Sequence, residues 1–176
     1  MIGKFLTTGL VRVLTITLIL SSQISNANEI YVRQVGNDAD TDIIQDGSGN
    51  KIRSLNTTSG TAVLSGNNKT TSLTQQGDNN RIGVWTSGAD QTITVVQKGD
   101  GNVSAVDNHG NDNTINLDID GDNNVTHTEI GNGGDVDNTL NVTVNGDSNN
   151  VYTEVLNGND NACLLYTSDA ADEKVR

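Results

Sequence analysis

Across the middle of the chain, apolar and β-branched residues alternate with polar ones at a period of two. Ile82-x-Val84-x-Thr86, Ile93-x-Val95-x-Gln97 and Ile115-x-Leu117-x-Ile119 each present one largely apolar face. Such alternation predicts short strands with one side turned inward, and the enrichment in Val, Ile and Thr suits a pleated surface. Between these strands stand QQGDNN, QKGDGN, NHGNDN and IDGDNN. Gly, Asn and Asp tolerate positive φ and close tight turns. Each unit is therefore one strand followed by one turn.

The unit recurs. Gly66, Gly77, Gly88, Gly99, Gly110 and Gly121 stand 11 residues apart, and Gly36 and Gly47 share that spacing. Gly146 and Gly158 continue the series after slips. The slips fall at 53–65, where residues read as missing, and at 131–136, where residues are added. Other columns keep the register. Asn50, Asn80, Asn102, Asn113, Asn124, Asn149 and Asn161 follow the glycine by three, and Gln34, Gln45, Gln75 and Gln97 precede it by two. Ile52, Ile82, Ile93, Ile115 and Val151 follow it by five, with Ser104 and Thr126 as polar exceptions.

A single strand of this kind cannot bury its face alone. Two units folded back as strand-turn-strand make a rung of about 22 residues, and rungs stack at about 4.8 Å through parallel pairing. The predicted fold class is all-β: a β-solenoid of about six rungs, each built from two half-repeats. Equivalent side chains then lie above one another. Gln34, Gln45, Gln75, Gln97, Asn50, Asn80, Asn102, Asn113 and Asn124 are the expected structural ladder, each amide donating to one neighbour and accepting from the other. Gly36, Gly47, Gly66, Gly77, Gly88, Gly99, Gly110, Gly121 and Gly146 are the expected turn glycines.

Composition sharpens this picture. Only 33% of the residues are hydrophobic and 3% aromatic, with 19 glycines and no proline. That is too little apolar surface for an ordinary globular core, and composition alone suits a disordered acidic chain. Register across several columns argues against disorder. Residues 28–162 hold six Lys and Arg against 19 Asp and Glu, a balance of −13. A chain of that sign is not expected to bind nucleic acid.

The ends differ from the middle. Lys4 and Arg12, the apolar run Val13 to Leu20, and Ser25-Asn26-Ala27 have the layout of a secretory leader cleaved after Ala27. The run is too short to span a bilayer, so stable membrane insertion is not expected. From Cys163 onward the Asn/Gly texture stops. CLLYTSDAADE resembles the translation of a sequencing-library adapter, so 163–176 is expected to be a non-native tail. The expected domains are a leader over 1–27, the repeats over 28–162 and this tail.

The repeat unit Gln-x-Gly-x-x-Asn, preceded by an alternating strand, resembles the curlin repeat. It stands here as QQGDNNRI (Gln75 to Ile82), QKGDGNVS (Gln97 to Ser104) and QDGSGNKI (Gln45 to Ile52). The family's leading Ser is mostly absent here, and Asp is frequent in the turns. The resemblance implies a secreted subunit that polymerises into extracellular amyloid fibres for biofilm matrix and adhesion. It also implies self or related curlin subunits as partners and an outer-membrane export pore. The alternative reading is a monomeric secreted β-solenoid adhesin or a calcium-stabilised binding module.

Little else in the chain points to chemistry. Asp118-x-Asp120-x-Asp122 with Glu129 imitates parts of a calcium loop, but Asn123 stands where that loop needs glycine. GNGGDVDN (131–138) occurs once, whereas calcium-binding β-roll repeats come in arrays. His109 and His127 lack a partner at metal-ligand spacing and are expected at the surface. Thr92-x-Thr94 does not recur in the 11-residue columns. Trp85 and Tyr152 are expected on the outward face. No catalytic set is suggested, so neither an enzyme activity nor a cofactor is expected.

Overall fold

The computed structural model describes residues 27–54, 60–131, 137–155 and 160–167. The expected leader up to residue 26, the turn at Gly158 and the tail beyond 167 lie outside them. Fourteen strands and no helix form in the described residues. In chain order they are β1 (Glu29–Ile30), β2 (Val32–Val35), β3 (Asp40–Asp46), β4 (Lys51–Ile52), β5 (Ala62–Ser65), β6 (Thr70–Gln76) and β7 (Arg81–Thr86). β8 (Thr92–Lys98), β9 (Val103–Asn108), β10 (Thr114–Asp120), β11 (Val125–Ile130), β12 (Thr139–Asn145), β13 (Asn150–Val155) and β14 (Ala162–Thr167) follow.

The strands alternate between two sheets. The first holds β1, β2, β4, β5, β7, β9, β11 and β13; the second runs β3, β6, β8, β10, β12, β14. Every ladder is parallel, and each strand pairs with its counterpart one turn away. Thr92 pairs with Thr70 and with Thr114, a step of 22 residues either way. The fold is a β-solenoid of stacked two-strand rungs.

Both interruptions of the repeat are insertions. Val32 pairs with Ala62 and Asp40 with Thr70, a step of 30. The stretch around 53–61 therefore adds eight residues to a 22-residue turn, rather than lacking residues as the glycine spacing suggests. The stretch after Gly131 adds three, since Thr114 pairs with Thr139. Both sit between strands, so register resumes unchanged on the far side.

Inward side chains from the two sheets meet in one core. Ile43, Leu73, Val95, Leu117 and Val142 stack as one buried column of the second sheet. Ile82, Val84, Val106 and Ile130 face them from the first. β14 continues the alternation, with Cys163 opposite Leu140 and Leu165 opposite Val142. An alternating segment is enough to extend an open parallel edge.

The corners explain the turn glycines. Gly36, Gly47, Gly66, Gly77, Gly88, Gly99, Gly121 and Gly146 all have positive φ; Gly110 occupies the same column without it. At Gly77 (φ 106°) a Cβ would also overlap the carbonyl oxygen of Gly99 in the next turn. Backbone conformation and vertical packing thus both demand glycine there.

Candidate functional site: the amide ladders and the outer faces

The glutamine column forms a buried ladder in the second sheet. Gln45 Nε2 donates to Gln75 Oε1 at 2.8 Å, and Gln75 Nε2 donates to Gln97 Oε1 at 3.1 Å. All three side chains are fully buried. The ladder ends by crossing the core: Gln97 Nε2 donates to Ser104 Oγ at 2.7 Å, and Thr126 Oγ1 donates to that oxygen at 3.0 Å. Ser104 and Thr126, the polar exceptions in an apolar column, are the landing point of this seam. Where the seam stops, Ile119 and Val144 take over the glutamine column. Gln34 stands apart. It is exposed and pairs with Leu64 in the first sheet, which offers no amide partner.

The asparagine column divides into two ladders. An 11-residue step is half a turn, so the same sequence position alternates between opposite corners. Asn50, Asn80, Asn102, Asn124 and Asn149 stack at one corner, preceded by Asn28. There each Oδ1 accepts the backbone N–H of the next asparagine, at 2.9 Å for Asn80 to Asn102 and for Asn102 to Asn124. Before Asn149, each Nδ2 donates onward to a turn glycine, Asn80 to Gly99 O and Asn102 to Gly121 O, both at 2.7 Å. Asn113, Asn138 and Asn161 make the second ladder, with Asn138 N donating to Asn113 Oδ1 at 3.0 Å and Asn161 N to Asn138 Oδ1 at 3.1 Å.

Besides Ala39, two members of the second corner carry no asparagine, and their role is visible only in the fold. Lys69 and Gln91 follow Gly66 and Gly88 by three, the signal that marks the column. Both are buried. Lys69 Nζ donates to the Val35 and Gly66 carbonyls, and Gln91 Nε2 to Gly110 O at 3.4 Å. Burial pushes the Lys69 ammonium below the usual lysine range.

Aspartates line both corners outside the amides. Asp78, Asp100, Asp122 and Asp147 stack, and each Oδ1 accepts the backbone N–H one turn away, at 2.8 Å from Ser48 and 2.7 Å from Asp78, Asp100 and Asp122. At the other corner Asp90, Asp112, Asp137 and Asp160 all adopt positive φ. The Asp112 carboxyl is held above the usual range by loss of hydration, then by a hydrogen bond and like charge from Asp90 and the charge of Asp137. Among the described residues no His, Cys, Asp and Glu side chains converge as a metal site. Asp118 and Glu129, paired in the calcium-loop pattern, lie on outer faces of opposite sheets.

The outer faces differ. On the second sheet, Thr70, Thr92, Thr114 and Thr139 form an outward threonine column, which recurs every full turn rather than every half-turn. On the first sheet Trp85 and Tyr152 are exposed, at 47% and 60%. His109 and His127 are half-buried beside them, with ring centroids 6.1 Å apart for Trp85–His109 and 5.1 Å for His127–Tyr152. Asp107 lies among these rings; its carboxyl is raised chiefly by burial, against the lowering pull of His127 and His109.

Stacked half-turn repeats, amide ladders and glycine corners define a repeat protein whose cohesion runs along its axis. Residues 66–99, which span β6 to β8, match the family model of the curlin associated repeat. That stretch of the chain is thus similar to the curlin repeat. No curated protein and no solved structure matches it. No helix among the described residues is long and apolar enough to cross a membrane.

Proposed function

We propose that this chain is a secreted, non-enzymatic curli-type subunit that polymerises into extracellular amyloid fibres, as biofilm matrix and for adhesion. Its partners are copies of itself or related curlin subunits, and it leaves the cell through an outer-membrane pore. The leader over 1–27, the repeats over 28–162 and an adapter-derived tail over 163–176 belong to the same reading.

One observation carries the polymerisation argument. At β3, the end strand of the second sheet among the described residues, Gln45 Oε1 is buried without a hydrogen-bond partner. It is the acceptor end of the glutamine ladder, and a buried unpaired acceptor costs about 1–3 kcal/mol. A further rung from a second copy would satisfy it while pairing the outer edge of β3. The aspartate corners oppose this stacking by repulsion and act as gatekeepers against premature assembly.

The test is to incubate the leaderless chain at low concentration and follow thioflavin fluorescence with and without preformed seeds. A lag phase abolished by seeds supports templated growth. A folded species that stays monomeric with seeds present overturns the fibre reading in favour of a monomeric adhesin or binding module.

A further inference from the structure

The outer face of the first sheet is banded along the solenoid axis. At the β1–β7 end stand Arg33, Lys51, Arg53 and Arg81 around a single carboxylate, Glu29, which Lys51 Nζ and Arg53 Nη1 approach at 3.1 and 3.8 Å. At the β9–β13 end stand Asp107, Glu129 and Glu154. One outward column, continuous by register, reads Arg33, Val63, Trp85, Asp107, Glu129, Glu154. Of seven exposed large hydrophobic side chains in the described residues, Tyr31, Val35, Trp85, Val125 and Tyr152 lie on this side. Between the charged bands is a depression of about 230 Å³ floored by Gly83 and Ala105 and walled by Trp85, Val103, Val125 and His127. The outer face of the second sheet has no such banding; its one lysine or arginine is Lys98.

We infer that this face is a lateral docking surface for a second copy of the chain, packed face to face and antiparallel. Charge complementarity selects the arrangement. Parallel packing sets the basic band on the basic band and the acidic band on the acidic one, an arrangement disfavoured by several kcal/mol. A two-fold axis lying in the interface and parallel to the strands reverses the order of levels. Basic then meets acidic at both ends, Arg33 lies over Glu154 of the second copy, and Trp85 lies over the second copy's central depression. The contact is isologous, so Ala105, beside the axis, lies close to its own symmetry mate.

The size of the face sets the strength. Six levels at about 4.8 Å and six residues at about 3.3 Å give roughly 570 Å² per copy, or about 1,100 Å² in total. That is at the low end for a stable interface. Isolated chains pair weakly, whereas filaments presenting the face once per subunit pair with avidity. The filament form rests on the proposed polymerisation; the pairing of soluble chains does not.

Ala105 provides the test because it sits at a middle level, away from both ends of the solenoid. Sedimentation of the leaderless chain is measured against concentration, together with emission of Trp85, the only tryptophan. The parent is expected to form dimers at high concentration with a blue-shifted Trp85. Ala105→Lys and Ala105→Glu, folded by circular dichroism, each pair about tenfold or more weakly because like charges meet at the axis. Mixing the two variants restores association to within about threefold of the parent, since unlike charges then meet. Pairing of either variant at parental strength, a mixture no better than its components, or a parent that stays monomeric at high concentration overturns the inference. Seeded thioflavin growth of the same variants reads end-to-end assembly separately: growth without pairing rejects only the lateral face, and pairing without growth rejects only the fibre.

Discussion

Replacing Asn102 by alanine tests whether the corner ladder holds the turns together. Asn102 Oδ1 accepts the Asn124 backbone N–H at 2.9 Å, and its Nδ2 donates to Gly121 O at 2.7 Å. The substitution strands both groups. Each buried unpaired group costs about 1–3 kcal/mol, so the expected loss is roughly 4 kcal/mol. That is a large share of a stability usually of about 5–15 kcal/mol. Asn149→Ala is the control. Its amide donates to Asn124 Oδ1 at 3.0 Å and Asn145 O at 3.3 Å, but in the described residues no further turn of that ladder depends on its oxygen. Its loss should cost about 1 kcal/mol. Urea unfolding of the monomer, followed by far-ultraviolet circular dichroism, measures both. Equal costs at the two positions, or a loss below about 1 kcal/mol at Asn102, would refute the ladder argument.

Other perturbations probe other parts of the stack. Gln75→Leu removes the middle of the glutamine ladder and leaves Gln45 Nε2 and Gln97 Oε1 unpaired; the urea midpoint should fall by the equivalent of about 2–4 kcal/mol, and an unchanged midpoint would deny the ladder a stabilising role. Gly99→Ala forces a Cβ onto the Gly121 carbonyl at φ 100°, and should destabilise by well over the ~1 kcal/mol typical of positive φ alone; a neutral result in the same melt would contradict the vertical packing. Folding raises the Asp112 carboxyl above its ordinary 3.8, so its contribution is fully present below that value and is lost as pH rises through the folded-state value. Acidifying from neutrality should therefore raise the urea midpoint, and Asp112→Asn should flatten that rise; an identical pH profile for the variant would exclude Asp112 as a source.

The axial organisation was legible because it is written at fixed spacing. Period-two alternation placed Ile82, Val84, Ile93 and Val95 inward, and the glycine register located the corners. The reading faltered where one dimension must become three. A half-turn step merges two corners into one sequence column, so Asn102 and Asn113 look equivalent although they belong to different ladders. The same merging hid Lys69 and Gln91, which do the work of asparagine with different side chains. Gln34 matched the motif but faces Leu64, because the side-chain chemistry of a column can change from turn to turn while its register does not. The interruption near 53–65 looked like a loss because glycine spacing counts residues and not turns.

The eight extra residues between Arg53 and Ala62 leave the pairings above and below intact. Val63 still meets Trp85, and Lys51 still meets Arg81. Sequence length at this seam is therefore decoupled from pitch, which makes it a natural graft point. A foreign peptide spliced there would leave the flanking ladders in register, and a polymer of such chains would carry it at regular intervals of about 29 Å, the height of six rungs.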